Sequence, residues 1–277
     1  MSSGKSTILN ALIGKNYIPS SNRACTAKIT SIENDELHND IFGCRLNQNG
    51  DISSQIINSS TLDEWNIDKN IAQINLTAKF FKIKNSITIH DTPGTNFSQD
   101  KSHEKITKDF LLQYPLNLIL FVINAEHSGT DDEKDLLNWI QKNVLEKRNA
   151  EIVFLINKMD SIDFEREDIN SNLNDTKNHL KNLGFNKPKI FPISAKAALM
   201  FRMMLNLQPV SKSEIRQFKN FYQYFMEDDF HLAESTKNIS IKGGISLGGT
   251  IYSKKDLLTA IEKTGICELE NFIEKMN

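Results

Sequence analysis

The first residues of the chain form the second half of a phosphate-binding loop. They read Met1-Ser2-Ser3-Gly4-Lys5-Ser6-Thr7. The complete motif has the pattern G-x-x-x-x-G-K-[ST], so its first glycine would fall two residues before Met1. In such a loop the lysine neutralises the β- and γ-phosphates and the hydroxyl binds Mg²⁺ at a helix N-terminus. We expect Lys5 and Ser6 to have these roles, although a lone Gly-Lys-Ser-Thr also arises by chance.

A second motif, Asp91-Thr92-Pro93-Gly94, follows a short predicted strand at 87–90. An aspartate at this place in a P-loop protein belongs to the Mg²⁺ site, and we expect the Gly94 N–H to bind the γ-phosphate. By itself the motif is also an ordinary turn after a strand. His90 is expected to fill the strand end rather than to act as a base.

Asn157-Lys158-Met159-Asp160 follows an apolar segment at 151–156 and discriminates between bases. A carboxylate placed like that of Asp160 accepts hydrogen bonds from N1–H and the 2-amino group of guanine, whereas adenine has an acceptor in place of N1–H. Asn157 can reach the base edge and join this motif to the phosphate loop, while the Lys158 stem packs against the ring. The motif therefore favours GTP over ATP, with a polar turn as the alternative interpretation.

Ser194-Ala195-Lys196 follows a predicted strand at 189–193 and can supply a backbone N–H to guanine O6. Alone this tripeptide carries little information. The four motifs, however, occur in the order expected of a GTPase and at strand ends, where parallel sheets bind ligands. Together they predict a GTP site.

Hydrophobic periodicity predicts helices that alternate with strands. Helices are expected at 5–13, 101–113, 130–144 and 168–183, and strands at 29–32, 41–46, 74–80, 87–90, 116–124, 151–156 and 189–193. This alternation predicts an α/β fold of the P-loop GTPase type, a doubly wound, mostly parallel sheet with flanking helices. The chain is interpreted as one domain, 1–277, in which 264–277 is a closing helix. The segment 197–263 is expected to contain a helical stretch at 197–226 and then a Gly-rich patch at 242–250.

The strand that normally leads into a phosphate loop has no counterpart, so the first strand is predicted to be missing. In P-loop GTPases this strand lies in the middle of the sheet. Its loss removes several buried side chains worth about 1.5–3 kcal/mol each. We therefore expect the chain to be a fragment or a truncated gene model, with Met1 as an internal residue of the loop.

Composition bounds the remaining possibilities. The 277 residues carry a net charge of −2, so bulk electrostatics give no reason to expect a nucleic-acid partner. Cys25, Cys44 and Cys267 are scattered, which fits a reducing cytoplasm. The longest apolar run, 116–123, is too short to cross a bilayer, so any membrane contact is expected to be peripheral. The Met200 to Met204 cluster is expected to be core or helix interface rather than a membrane wedge.

With these motifs the chain resembles the GTPase domain of a bacterial dynamin-like protein. The matching residues are Met1-Ser-Ser-Gly-Lys-Ser-Thr-Ile-Leu-Asn-Ala-Leu-Ile-Gly14, Ile18-Pro19-Ser20 and Ala24-Cys25-Thr26-Ala27. The resemblance extends to the end of the chain through 218–230 and 264–270. It implies that this chain stops where a helical bundle and a membrane-binding tip would begin.

The resemblance also implies roles for residues outside the motifs. Thr26 in the first switch would complete Mg²⁺ coordination, with Thr30 as the alternative, and Ser2 is associated with a monovalent cation. Thr95 occupies the place of a catalytic glutamine, which agrees with hydrolysis that depends on dimerisation of GTPase domains. The implied partners are a homodimer or heterodimer through that domain and, in the full-length parent, a peripheral contact with the inner membrane.

The predicted site residues follow from the motifs and the resemblance together. The catalytic set is Ser2, Lys5 and Thr26, and the metal set is Ser6, Thr26 and Asp91. The set that binds GTP or GDP is Ser3, Gly4, Lys5, Ser6, Thr7, Asp91, Gly94, Asn157, Lys158, Asp160, Ser194, Ala195 and Lys196.

The predicted activity is hydrolysis of GTP to GDP and phosphate, linked to membrane remodelling in the parent. A non-hydrolysing, nucleotide-dependent interaction module or an inactive remnant is the alternative. A P-loop ATPase or kinase is disfavoured by the guanine motif.

Overall fold

The computed structural model describes residues 2–19, 28–94, 101–127, 129–162, 168–228, 230–237 and 239–276. The helices are α1 (Lys5–Ile13), α2 (Ser59–Ile67), α3 (Lys101–Gln113), α4 (Asp131–Ile140), α5 (Ile169–Asn182), α6 (Ala195–Leu205), α7 (Lys212–Tyr222), α8 (Lys254–Lys263) and α9 (Ile266–Lys275). The strands are β1 (Thr30–Asn34), β2 (Phe42–Asn47), β3 (Ile52–Ile56), β4 (Ile71–Ala78), β5 (Thr88–Asp91), β6 (Leu118–Asn124), β7 (Glu151–Asn157), β8 (Ile190–Ile193), β9 (Gly244–Leu247) and β10 (Thr250–Ser253).

The strands and flanking helices form the predicted α/β fold, but strands β1 to β8 belong to two separate sheets. The first sheet has the order β3-β2-β4-β1-β5 and the second the order β6-β7-β8. The second sheet is parallel throughout. The first is mixed, because β1 runs parallel to β4 while the β2–β3 hairpin, which turns at Gly50, and β5 run antiparallel to their neighbours. Strand β5 is one edge of the first sheet, and β6 is one edge of the second.

Helix α1 shows how local sequence sets an element's bounds. The helix follows Gly4, and its apolar residues are buried from Ile8 to Ile13. It ends at Gly14, whose φ of 76° lies in the left-handed region and whose N–H donates to the carbonyls of Asn10 and Ala11. A glycine accepts this conformation without steric cost, so the predicted stop is confirmed.

The Met-rich segment is core. Helix α6 is buried along almost its whole length, and Met200, Met203 and Met204 pack in the larger of two apolar clusters. That cluster also contains the buried faces of α1, α8 and α9, whereas the smaller cluster joins α4 to β6 and β7. No helix in the described ranges is long and apolar enough to span a bilayer.

Several elements, among them β3, differ from the sequence predictions or have no counterpart in them. The single helical stretch expected at 197–226 is divided into α6 and α7, because Leu207 has a positive φ and Ser211 with Glu214 forms a capping box that starts a new helix. The Gly-rich patch forms the β9–β10 hairpin. Helix α2 has no counterpart in the prediction. Helix α4 continues into a π-helical turn at Gln141–Leu145, close to the predicted end at residue 144.

Candidate nucleotide-binding site

The phosphate loop is held in a conformation that only glycine fits at one position. Gly4 has a φ of 87°, and a Cβ atom placed on it would lie 2.4 Å from Nδ2 of Asn157. The Gly4 N–H donates to the Ser2 hydroxyl at 3.3 Å. Lys5 begins α1, so the N–H groups of the first helical turn, which lack partners within the helix, lie directly behind this loop.

Two oxygen-bearing side chains meet beside the loop. The Ser6 hydroxyl donates to Oδ2 of Asp91 at 3.1 Å, and Asp91 is buried at the carboxyl end of β5. A hydroxyl and a carboxylate side by side suit Mg²⁺, which prefers oxygen ligands and binds through one or two carboxylates. A Cβ atom on Gly94 would lie 3.9 Å from Nζ of Lys5, so the backbone of the second motif also approaches the loop.

Asn157 joins three of the four motifs through one side chain. Its Nδ2 donates to the Ser3 carbonyl at 2.9 Å, and its Oδ1 accepts from the Ala195 N–H at 3.1 Å. Asn157 is itself buried at the end of β7. The phosphate loop and the turns after β7 and β8 are therefore fixed relative to one another without any ligand.

Asp160 is oriented by its neighbour in the fourth motif. The Ser194 hydroxyl donates to Oδ1 of Asp160 at 2.5 Å. Burial raises the pKa of this carboxyl, while the Ser194 hydrogen bond opposes the effect. Lys158 has a positive φ of 65°, and its Nζ lies 3.6 Å from Oε2 of Glu126. A non-glycine residue in this conformation stores strain of the kind found at ligand sites.

The other predicted residues have varied positions. Thr7 lies in the first turn of α1 and Lys196 in the first turn of α6. Thr26 and Thr95 lie outside the described residues. Thr30, the alternative to Thr26, is buried in β1 and pairs in register with Asp91.

Two residues at this edge of the sheet were missed by the sequence analysis. Glu126 pairs with Lys158, and its N–H donates to Oδ1 of Asn124, which ends β6. The only available signal was the position of Asn124 at the end of an apolar strand and of Glu126 shortly after it. Neither residue belongs to a motif with a recognisable pattern.

Gly4→Ala is expected to weaken nucleotide binding at least about tenfold. The left-handed conformation costs a residue with a Cβ about 1–2 kcal/mol, and the new methyl group would displace Asn157. Gly50→Ala is the matched control, because Gly50 also has a positive φ but has open space around it. Titration with a fluorescent guanine nucleotide, alongside thermal melting, measures both effects. Equal affinities in the two variants would contradict the assignment of the loop.

Comparison with known proteins shows the family of this chain. The sequence model described as the dynamin family matches residues 1–159. The chain is 25% identical, over 277 residues, to the "Uncharacterized protein in xynA 3'region" of Caldicellulosiruptor sp. (strain Rt8B.4). It is 26% identical over 202 residues to the "Probable transmembrane GTPase FZO-like, chloroplastic" of Arabidopsis thaliana. The matches cover 99% and 71% of this chain, but only 66% and 18% of the two relatives.

A solved structure shares the fold. It is described as "An oligomerised bacterial dynamin pair provides a mechanism for the long range sensing and tethering of membranes". The superposition covers 99% of this chain and 40% of the other, with a TM-score of 0.55 and 19% sequence identity. Since the family model matches more than half of the sequence, and the fold agrees, the chain belongs to the dynamin family.

Proposed function

We propose that this chain binds GTP with Mg²⁺ and hydrolyses it to GDP and phosphate. The observation that carries the proposal is the double hydrogen bond of Asn157 to Ser3 and to Ala195. These two bonds join the proposed phosphate loop to the proposed base-reading turn before any ligand binds. Preorganised groups of this kind avoid the free-energy cost of ordering on binding.

The phosphate end is assigned to the loop and the second motif. Lys5 and the N–H groups of the first turn of α1 neutralise the phosphates, and the Gly94 N–H binds the γ-phosphate. Ser6 and Asp91 would hold Mg²⁺, which supplies further neutralisation of phosphate charge when bound. Ser2, with Thr26, is proposed to order the attacking water, and a monovalent cation beside Ser2 belongs to the same proposal.

The base end is assigned to the turns after β7 and β8. The Asp160 carboxylate accepts from guanine N1–H and the 2-amino group, while Ser194 keeps it in place. The Ala195 N–H already donates to Asn157, so the N–H for guanine O6 falls to Lys196 in the first turn of α6. The Lys158 stem, positioned by Glu126, packs on the ring.

Asp160→Asn tests the base assignment. The wild-type chain is expected to bind GTP at least about 100-fold more tightly than ATP, because adenine would offer the half-buried carboxylate no donor in place of guanine N1–H. In the variant the new amide N–H₂ cannot accept from guanine but can donate to the 2-oxo group of xanthine, so the preference shifts from GTP towards XTP. Asp63→Asn, on the exposed side of α2, is the control. Unchanged selectivity in Asp160→Asn would overturn the assignment.

The pH dependence of binding gives an independent check. Because burial raises the pKa of Asp160, the ionised form that accepts two donors is lost at a higher pH than for an exposed carboxyl. As the pH falls into the acidic range, affinity for GTP is therefore expected to fall more steeply than affinity for ATP, because the phosphates of both nucleotides become protonated but only guanine depends on the Asp160 carboxylate. The Asp160→Asn variant has no carboxylate at this position and should lose this part of the dependence. Titrations of both proteins across the acidic range measure it.

A nucleotide-dependent interaction module without hydrolysis is the second candidate. Two observations favour it. Ser2 is exposed, and the sheets on either side of the phosphate loop are separate. Binding of GTP without release of phosphate would support this candidate over the first.

We also propose self-association through the nucleotide-binding face and a peripheral membrane role in the cytoplasm. The support is that the structural neighbour is an oligomerised bacterial dynamin pair. Sedimentation with GDP and with a non-hydrolysable GTP analogue tests the first part, because association is expected only with the analogue. Equal sedimentation in both states would contradict it.

A further inference from the structure

The outer edge of the first sheet is open. Strand β3 is the last strand in the order β3-β2-β4-β1-β5, and within the described ranges it pairs with β2 alone. All five of its residues are exposed. An open edge can pair with another strand, and proteins usually prevent this with charged residues or proline. The sequence from 52 to 62 contains neither a charged residue nor a proline, so this edge is unprotected.

The side chains on one face of this edge are apolar and exposed to solvent. Ile52 and Ile56 are 69% and 62% exposed, and Phe42 of β2, which pairs directly with Ile56, is 38% exposed. Residues that are directly opposite, or two or four apart along a strand, share a face of the sheet. Arg45, three residues after Phe42, lies on the other face and contacts Trp65 of α2. The apolar face is therefore turned away from α2.

The outward backbone groups of β3 belong to the same residues as these side chains. The Asn47 N–H donates to the Asp51 carbonyl at 2.9 Å, and the Ile57 N–H donates to the Ile41 carbonyl at 3.0 Å. Hydrogen-bonding groups alternate between the two sides of an antiparallel strand, so the odd-numbered residues of β3 direct theirs towards β2. The N–H and C=O groups that face the open edge are those of residues 52, 54 and 56.

We propose that β3 pairs with β3 of a second copy of this chain, antiparallel and about a two-fold axis at Ser54. In this register Ile52 lies opposite Ile56 of the second copy, and Ser54 lies opposite its counterpart. All three outward residues of each strand then form hydrogen-bonded pairs, and each isoleucine meets an isoleucine. A shift by two residues, the smallest that keeps the hydrogen bonds, would instead place Ile56 opposite Gly50 or Ser54.

The self-complementary pattern of β3 selects a second copy as the partner. Its residues are apolar at both ends and polar between them, so the pattern is the same about Ser54 in either direction. Two uncharged edges also meet without like-charge repulsion. The pairing uses the open edge of both copies, so the assembly closes at a dimer. A five-residue edge buries less than the about 1,200–2,000 Å² of a stable interface, so we expect dissociation at micromolar concentrations.

Sedimentation velocity of the whole chain without nucleotide tests the proposal. The wild-type chain is expected to change from monomer to dimer as its concentration rises through the micromolar range. Ile56→Lys is expected to weaken the dimer at least about tenfold, because both isoleucine pairs are lost and two charges enter the interface. Ile251→Lys is the matched control, because Ile251 of β10 is 76% exposed and lies outside the first sheet. This variant should dimerise like the wild-type chain.

Mixtures of variants test the register. Ile52→Lys and Ile56→Glu each lose both isoleucine pairs in their own dimers. When the two are mixed, the ammonium at position 52 of one copy lies opposite the carboxylate at position 56 of the other, and the remaining isoleucines still pair. The mixture is expected to dimerise at least about threefold more tightly than either variant alone. A mixture of Ile52→Lys with Ile52→Glu carries the same charges but does not bring them together, so its gain should be smaller.

The outcomes separate this proposal from the proposed function. A wild-type chain that stays monomeric, a dimer that persists in Ile56→Lys, an equal loss in Ile251→Lys, or aggregates without a discrete dimer would overturn it. Equal gains in the two mixtures would overturn the register. None of these measurements contains nucleotide, so their failure leaves the GTP proposal untouched. The nucleotide-dependent association proposed above is compared in Ile56→Lys, in which the β3 edge is blocked.

Discussion

Lys5→Ala is expected to weaken GTP binding at least about 100-fold and to remove hydrolysis. The ammonium group lies at the N-terminus of α1, and a Cβ on Gly94 of the second motif would lie 3.9 Å from its Nζ. Among the described lysines and arginines, Lys5 is the one that these contacts locate between the phosphate loop and the turn after β5. Loss of one preorganised donor to developing charge typically costs a factor of about 10²–10³ in turnover. Isothermal titration with GTP, and phosphate release with excess GTP, measure the two effects separately.

The control for this prediction is Lys255→Ala, on the exposed surface of α8. Both variants remove one positive charge, so a nonspecific effect of net charge would appear in both. Retained hydrolysis in Lys5→Ala would remove the phosphate-loop assignment, even if guanine selectivity persisted. Thermal melting of the two proteins without nucleotide separates loss of binding from loss of folding, because neither lysine is in the apolar core.

Local chemistry explains which parts of the fold could be predicted from the sequence. Helix α1 ends at Gly14 because glycine accepts the left-handed conformation that stops a helix. Strand β7 ends at Asn157, where an apolar run meets the polar turn of the predicted guanine motif. Helix α2 was missed because, among those of its residues whose burial is described, Leu62 and Trp65 alone are buried. The β9–β10 hairpin was missed because Gly248 and Gly249 read as a loop until their partners are known.

Contacts between residues distant in sequence explain what could not be predicted at the site. The motifs indicated Asn157 and Ser194, but not that Asn157 would use the Ala195 N–H or that Ser194 would hold Asp160. The division of the sheet at β5 and β6 is likewise a property of pairing across the fold. Hydrophobic periodicity identifies strands but does not identify their neighbours.

Glu270→Gln is expected to destabilise the chain by about 3–5 kcal/mol, the largest stability effect of any single substitution considered. Arg202 on α6 and Glu270 on α9 form a bidentate pair, with Nη1 to Oε1 at 2.8 Å and Nη2 to Oε2 at 2.7 Å. Both side chains are at most 1% exposed. Burial disfavours the charged guanidinium, but the Glu270 carboxylate outweighs burial and raises the pKa of Arg202. Removing one charge of such a pair leaves the other uncompensated.

Urea unfolding of Glu270→Gln measures this cost. The matched control is Glu151→Gln, which breaks the exposed pair of Glu151 with Lys189 and is expected to cost at most about 1 kcal/mol. A similar loss in both variants would show that the buried pair has no special weight. A loss in Glu270→Gln alone is expected, because water can hydrate Lys189 but cannot reach Arg202.

A double variant distinguishes a stabilising pair from a positioning one. Nη1 of Arg202 also donates to the Ala11 carbonyl at 2.6 Å, and its guanidinium lies 4.4 Å from the centre of the Phe81 ring. It therefore connects α9 to α1, the helix that carries Lys5. Arg202→Met combined with Glu270→Leu removes both charges and should recover much of the stability, because an apolar pair often replaces a buried ion pair at little cost. If the pair positions α1, the double variant is expected to remain folded yet to bind GTP more weakly than the wild-type chain. Full recovery of both stability and affinity would show that the pair contributes nothing to the geometry of the phosphate loop.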